Sequence, residues 1–198
     1  MTVKLHTWIV LSCVVLAIPS CACWPTPEVL VVEDFEEGLD GWTAGSDVPE
    51  DPNNPGHPVA WSITLSDEQA SNGAHSAEFY LDGRQDDGTI WLARGFEIDR
   101  EGTYHVNILM DFWSADASFN TLAKVAFYAG TAEPGEEEDF NTSQAANLAA
   151  DWHTYVFGRN ITVGQDGTIW IAFGISAVWE TELSYFIDNV VVSLTPLD

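Results

Sequence analysis

From Glu28 to Leu194 the chain is a succession of short runs rich in β-branched and aromatic residues, each closed by Gly, Asp, Asn or Pro. EVLVVEDF, VAWSITLSD, SAEFYLD, TIWLARGFEI, TYHVNILMDFW, KVAFYAG, WHTYVFG, TIWIAFGI and YFIDNVVVSL follow one another in this way. Several alternate apolar and polar residues, the period of a half-buried strand, and no long stretch holds a helical period. About nine strands without crossover helices must pair antiparallel, so the predicted fold class is all-β, an antiparallel β-sandwich or jelly roll. Two segments stand apart. Thr43 to Pro58 carries four prolines and two glycines and is expected to hold no regular element. Thr142 to Asp151 reads as one short helix or a loop.

Residues 1–20 read as a secretory leader. Lys4 precedes an apolar run from Trp8 to Ile18, too short for a comfortable membrane span. The run ends in Ile18-Pro19-Ser20-Cys21, which resembles a bacterial lipobox and implies a lipid on Cys21; a plain signal peptide cut nearby is the alternative. Residues 21–28 form a short tether and residues 29–198 a single domain. The expected location is secreted and membrane-anchored, on the cell surface or in the periplasm, with the membrane met through the lipid alone. Cys13 leaves with the leader and Cys21 and Cys23 lie at the anchor. The domain is therefore left with no disulfide, thiolate cluster or cysteine nucleophile.

Charge narrows the partners. Losing Lys4 leaves five basic residues against 31 acidic ones, a net −26. Nucleic acid and other polyanions are disfavoured, because phosphate binding needs a basic surface. The acidic run GEEED (Gly135–Asp139) reads as a solvated loop. No G-x-S-x-G turn and no H-E-x-x-H helix is present. Carboxylates are so abundant that a pair of them carries no information about glycoside hydrolysis. Five bases are too few for a lyase groove on acidic glycans. No enzyme activity is expected.

Alternate residues of TYHVNILMDFW divide cleanly. Tyr104, Val106, Ile108, Met110 and Phe112 suit a core; His105, Asn107, Leu109, Asp111 and Trp113 share the other face. Planar polar groups and an aromatic ring in one row suit a glycan, which offers hydroxyls and an apolar C–H face. On the next strand Tyr128 stands with Lys124 and Ala126, and Trp170 opposes the Ile169–Ile171–Phe173 row. The candidate glycan ligands are thus His105, Asn107, Asp111, Trp113, Tyr128 and Trp170. The alternative is structural: such aromatic residues can cover a sheet beneath a long loop. Trp42, Trp61 and Trp152 read as core or turn packing, and Trp179 as an exposed platform on an edge loop. Trp91 opposes Ile90–Leu92–Phe96, but Arg94 falls on the buried side, a conflict that a bulge near Gly95 would relieve. QDDGTIWLARGF and QDGTIWIAFGI match at Thr, Ile, Trp, Ala and Gly with one extra Asp in the first. Their flanks differ, so they read as one structural part used twice: an Asp-Gly tight turn and the strand leaving it.

EDFEEGLDGW, ASNGAHSAEFYL, LARGFEIDREGTYHVNILMDF, DWHTYVF and SYFIDNVVV resemble, in that order, segments of the galactose-binding-like jelly-roll carbohydrate-binding modules. The resemblance spans Val29 to Leu194. It implies a structural calcium between the first strand, a loop and the Asp of the last strand. The matching positions are Glu36 and Asp188, with Asp34 as a competing ligand and a carbonyl from Ser71–His75 as a further one. Neighbouring first and last strands would also bring two carboxylates together, which repel without a cation; in the alternative, Asp188 caps a turn. The resemblance implies a non-catalytic, monomeric surface module that holds a neutral polysaccharide. The alternatives are a structural or adhesion lipoprotein that binds protein partners, and a small glycan-active enzyme.

Overall fold

The computed structural model describes residues 26–115, 122–146, 150–165 and 167–197. The leader and Cys21 lie outside the described residues. Eleven strands occur in chain order: β1 (Glu28–Glu33), β2 (Thr43–Asp47), β3 (Trp61–Ser66), β4 (Ser76–Gly83), β5 (Thr89–Ile98), β6 (Gly102–Ser114), β7 (Leu122–Gly130), β8 (Asn141–Ala145), β9 (Asp151–Val163), β10 (Gly167–Trp179) and β11 (Thr181–Pro196). One sheet has the order β3-β4-β11-β6-β9, and β1 also pairs with β11. The other runs β2-β5-β10-β7-β8. Every pairing between named strands is antiparallel. The two sheets pack face to face, and the chain is the β-sandwich that its strand pattern predicts.

The alternation read from the sequence decides which side of each strand is inside. Tyr104, Val106, Ile108, Met110 and Phe112 of β6 are all buried, as are Ile169, Ile171, Phe173 and Ile175 of β10. Phe79, Leu81, Tyr185 and Ile187 complete the centre of one core cluster. Trp42 closes it, edge-on to Phe173 at 4.8 Å, with its indole N–H donated to Glu33.

Three expectations need correcting. Thr43–Pro58 does hold a strand: its first five residues, ahead of Pro49, form β2 along β5. In the Thr142–Asp151 segment, expected as a short helix or a loop, residues 142–145 instead belong to β8, preceded by a 3-10 turn at Glu137–Asp139, and residues 147–149 lie outside the described residues. Trp179 lies on no loop; it ends β10, and only Glu180 separates it from β11, leaving it 49% exposed.

Arg94 sits on the inner side of β5 without a bulge, since the β5–β10 register runs unbroken. Its guanidinium lies 5.1 Å from the Phe96 ring centroid and 6.0 Å from that of Trp42. A flat, weakly hydrated cation over two rings is how an arginine can occupy an apolar row at the sandwich edge.

Candidate functional site

The doubled phrase resolves first. The strands that carry it, β5 and β10, are neighbours, and their pairing is reciprocal. Ala93 faces Ala172, Trp91 faces Gly174, and Trp170 faces Gly95. Each tryptophan thus lies opposite the glycine of the other copy. A Cβ on Gly95 would lie 3.2 Å from the Trp170 ring, and one on Gly174 would lie 2.8 Å from the Trp91 Cα. On the far side of Trp91, a Cβ on Gly45 of β2 would lie 2.4 Å from the indole. Gly95 and Gly45 leave room for the Trp170 and Trp91 rings to lie flat on the sheet, and Gly174 lets the β5 backbone approach closely. The turn expectation holds for the first copy, where Gly88 has φ 117°, and a tight turn also precedes the second, where the Gly167 N–H is donated to the Gly164 carbonyl at 3.2 Å.

This geometry corrects the single binding face read from the sequence. His105, Asn107, Asp111 and Trp113 lie on the outer face of the β6 sheet. Tyr128 and Trp170 lie on the outer face of the other sheet, across the sandwich. There Trp91, Tyr128 and Phe140 form a second cluster with Ala93, Ala126 and Ala172, and half-buried Trp170 packs against it. Phe140 covers Trp91 at 4.9 Å and Tyr128 at 5.9 Å. Tyr128 is 8% exposed and its hydroxyl is donated to the Ala132 carbonyl. That face is sealed over most of its rings.

The β6 face is less covered among the described residues: its outward β6 side chains are half-buried, and Thr154, Val156 and Gly158 of β9 are exposed. Cross-strand pairs align Trp152 (β9), Trp113 (β6), Phe186 (β11), Glu78 (β4) and Thr64 (β3) in one row. Four strand spacings make it about 19 Å long. Trp152 and Trp113 are half-buried, and Trp113 meets the buried Phe186 ring edge-on at 5.4 Å. Ser184 donates its hydroxyl to Glu78 beside the row. Trp152, assigned to the core above, therefore belongs to this surface. The signal for it was its place among the even-numbered residues of β9, which face outward where Tyr155 and Phe157 pack inward.

Asp111 has a different role from the one expected. Its carboxylate accepts from Thr154, Ser71 and Asn189, at 2.7, 2.7 and 2.9 Å. Burial opposes ionisation there, but these three donors together outweigh it and hold the carboxyl below its ordinary value. His105 is likewise engaged, its Nδ1 lying 2.8 Å from Asn160 Oδ1.

Opposite Asp111 across the strands is Asp188, fully buried. It sits at a bulge in β11 where pairing passes from β4 to β1, and the next residue, Asn189, has φ 51°. Asp188 accepts the backbone N–H groups of Ser71, Asn72 and Asn189 at 2.8, 2.9 and 2.7 Å. Burial pushes its carboxyl up; the three N–H groups oppose this and the Asp111 charge adds to it. Glu36 grips the other end of the same loop, accepting from the N–H groups of Ala74 and His75, both at 2.8 Å, which lower its carboxyl below the ordinary value. Gly73 between them has φ 71°, and a Cβ there would lie 2.3 Å from Glu36 Oε1.

Glu36 and Asp188 thus meet one loop, as the resemblance implies, but the donor chemistry does not fit a calcium cage. Calcium needs six to eight oxygen ligands. Here the carboxylates face N–H groups, which are positive at the hydrogen. Among the described residues no three acidic, His or Cys side chains converge. Each of the two carboxylates is held by N–H groups of the Ser71–His75 loop. Chelator is expected to leave the melting temperature unchanged; a drop on chelation, reversed by calcium, would contradict this.

Comparison with solved structures places the architecture. A carbohydrate-binding module of the β-sandwich superfamily matches with a TM-score of 0.53 at 12% identity, over 81% of this chain and 60% of that one. This is the fold of the jelly-roll carbohydrate-binding modules. The xylan-binding CBM22-1 domain of Paenibacillus barcinonensis Xyn10C matches with a TM-score of 0.50 at 14% identity, over 88% of this chain and 99% of that one. A cyclase from Fischerella sp. TAU shares the architecture too, with a TM-score of 0.57 at 14% identity, over 87% of this chain and 100% of that one. The chain spans 60% of the first of these structures. No family profile matches the sequence, and no curated protein matches it. A fold shared by binding modules and a cyclase leaves function to the site.

Proposed function

We propose that the chain is a non-catalytic carbohydrate-binding module, anchored through a lipid on Cys21, that lays a neutral glycan across the outer face of the β6 sheet. The row Trp152–Trp113, flanked by Thr154 and by the Glu78–Ser184 pair, is the observation that carries this reading. Flat rings offer their faces to sugar C–H groups, and the flanking oxygens accept and donate to hydroxyls. Asn107 extends the polar side of the same face. A net −26 turns polyanionic glycans away.

The test is a glycan array probed with the whole chain, followed by titration of the best soluble ligand. Neutral polysaccharides are expected to bind and to stay intact. Trp113→Ala is expected to weaken binding about 30-fold, roughly 2 kcal/mol, the usual loss of a central aromatic anchor. An array without neutral-glycan binding, or release of cleaved sugar, would overturn the reading.

A further inference from the structure

We infer that two copies of this chain join through the free edge of β9, extending the outer face that carries Trp113 and Trp152 into a second protomer. β9 pairs with β6 over all 13 residues without a register shift, and on its other side no strand pairs with it among the described residues. Proteins blunt free edges with short strands, bulges, lysine or proline. The other edges obey this: β2 and β8 have five residues each and β3 has six, while β1 has six with a shifted register. β9 has no bulge, no lysine and no proline, only Arg159 on its inward-facing side guards it with a charge, and Val156 at its middle is 62% exposed. Asp151 Oδ1 accepts the Trp152 N–H at 2.8 Å, a side chain standing in for a partner strand.

Two features select a second copy as the occupant. The chain is strongly acidic, yet β9 carries a single acid, Asp151, and a single base, Arg159, so two copies of this strand meet without net charge. Among the described residues Arg159 has no ion pair, although it shares a cleft with Glu138 and Asp139. An antiparallel pair centred on Tyr155 places Asp151 of each copy opposite the partner's Arg159. The two Asp151–Arg159 pairs choose this register. Asp151 would exchange its own strand's N–H for the partner's guanidinium, and the freed Trp152 N–H would enter the new ladder. The sequence-based expectation of a monomer gives way to a two-fold pair with adjoining aromatic surfaces.

Sedimentation equilibrium of the whole chain in density-matched detergent tests this, with circular dichroism as the check on folding. The wild type is expected at twice the protomer mass. Arg159→Asp and Val156→Lys are expected at the protomer mass with unchanged spectra; Val156 is exposed, so its replacement does not disturb the core. Combining Asp151→Arg with Arg159→Asp is expected to restore the dimer, because the swap re-forms both charge pairs. A wild type at the protomer mass would overturn the inference, leaving the edge to a strand from another protein. So would a dimer that survives both single substitutions, or a folded swap that stays monomeric. Glycan affinity is read separately, so failure here and failure of the binding reading are distinguishable.

Discussion

Gly174→Ala is expected to destabilise the domain by about 3 kcal/mol or more, lowering the melting temperature by roughly 10 °C. The new Cβ would lie 2.0 Å from the Ile90 carbonyl oxygen and 2.8 Å from the Trp91 Cα. Both are backbone atoms of β5, so no side chain can swing aside. The central strands of the sheet must part, or Trp91 must leave its place under Phe140. Gly135→Ala is the matched control: nothing lies within 4 Å of its Cβ and its φ is unremarkable, so its melting temperature should not move. Thermal unfolding of the two variants side by side reads the result. Equal melting points would refute the account of the doubled phrase as reciprocal packing.

Asp188→Ala is the second large loss, about 2 kcal/mol, because it empties a fully buried position and removes the one acceptor that the part-buried N–H groups of Ser71, Asn72 and Asn189 share. Asp188→Asn should cost less, since an amide oxygen can still accept. The two variants separate the acceptor from the charge. The Asp188 carboxyl is raised in the folded state, mainly by burial. Its contribution relative to Asn is therefore fully present below the ordinary carboxylate value of 3.8 and is lost as pH rises through the raised folded value. Asp111 and Glu36 act in the opposite sense. Their folded values are lowered, so their contributions are present above the ordinary values and lost as pH falls through the lowered ones. The melting temperature of wild type minus that of Asp188→Asn should fall from pH 3 to pH 7, while wild type itself weakens in acid. A difference that rises over that range would contradict the assignment of Asp188 as the penalised carboxylate.

How much of this was legible in the sequence depends on the range of the interaction concerned. Period-two alternation is local, and it placed all five inward residues of β6 and the inward row of β10 correctly. The reading of Arg94 as inward was also right, and no bulge was needed, because stacked rings can take a guanidinium. Tryptophan four residues ahead of glycine stands in both copies of the doubled phrase, so the reciprocal packing was available as a spacing. What stayed hidden was which strands lie side by side. His105 and Trp170 look equivalent along the chain and fall on opposite faces of the sandwich. Tyr128 looked exposed because the residue that covers it, Phe140, follows an acidic run that reads as loop. Trp152 looked like framework because its partner Trp113 is 39 positions away, a register only the folded sheet sets. Glu36 and Asp188 were correctly placed about one loop, but spacing does not show whether a carboxylate faces a cation or an N–H.

The most direct test of the binding surface follows the tryptophan indole N–H signals, eight once the leader has taken Trp8 away, by NMR while a neutral polysaccharide is added. The expected result is that the Trp113 and Trp152 signals move together and saturate at one concentration, while those of Trp42 and Trp91 stay fixed. Movement confined to Trp170 or Trp179, with Trp113 and Trp152 unmoved, would place the glycan elsewhere and contradict the proposed site.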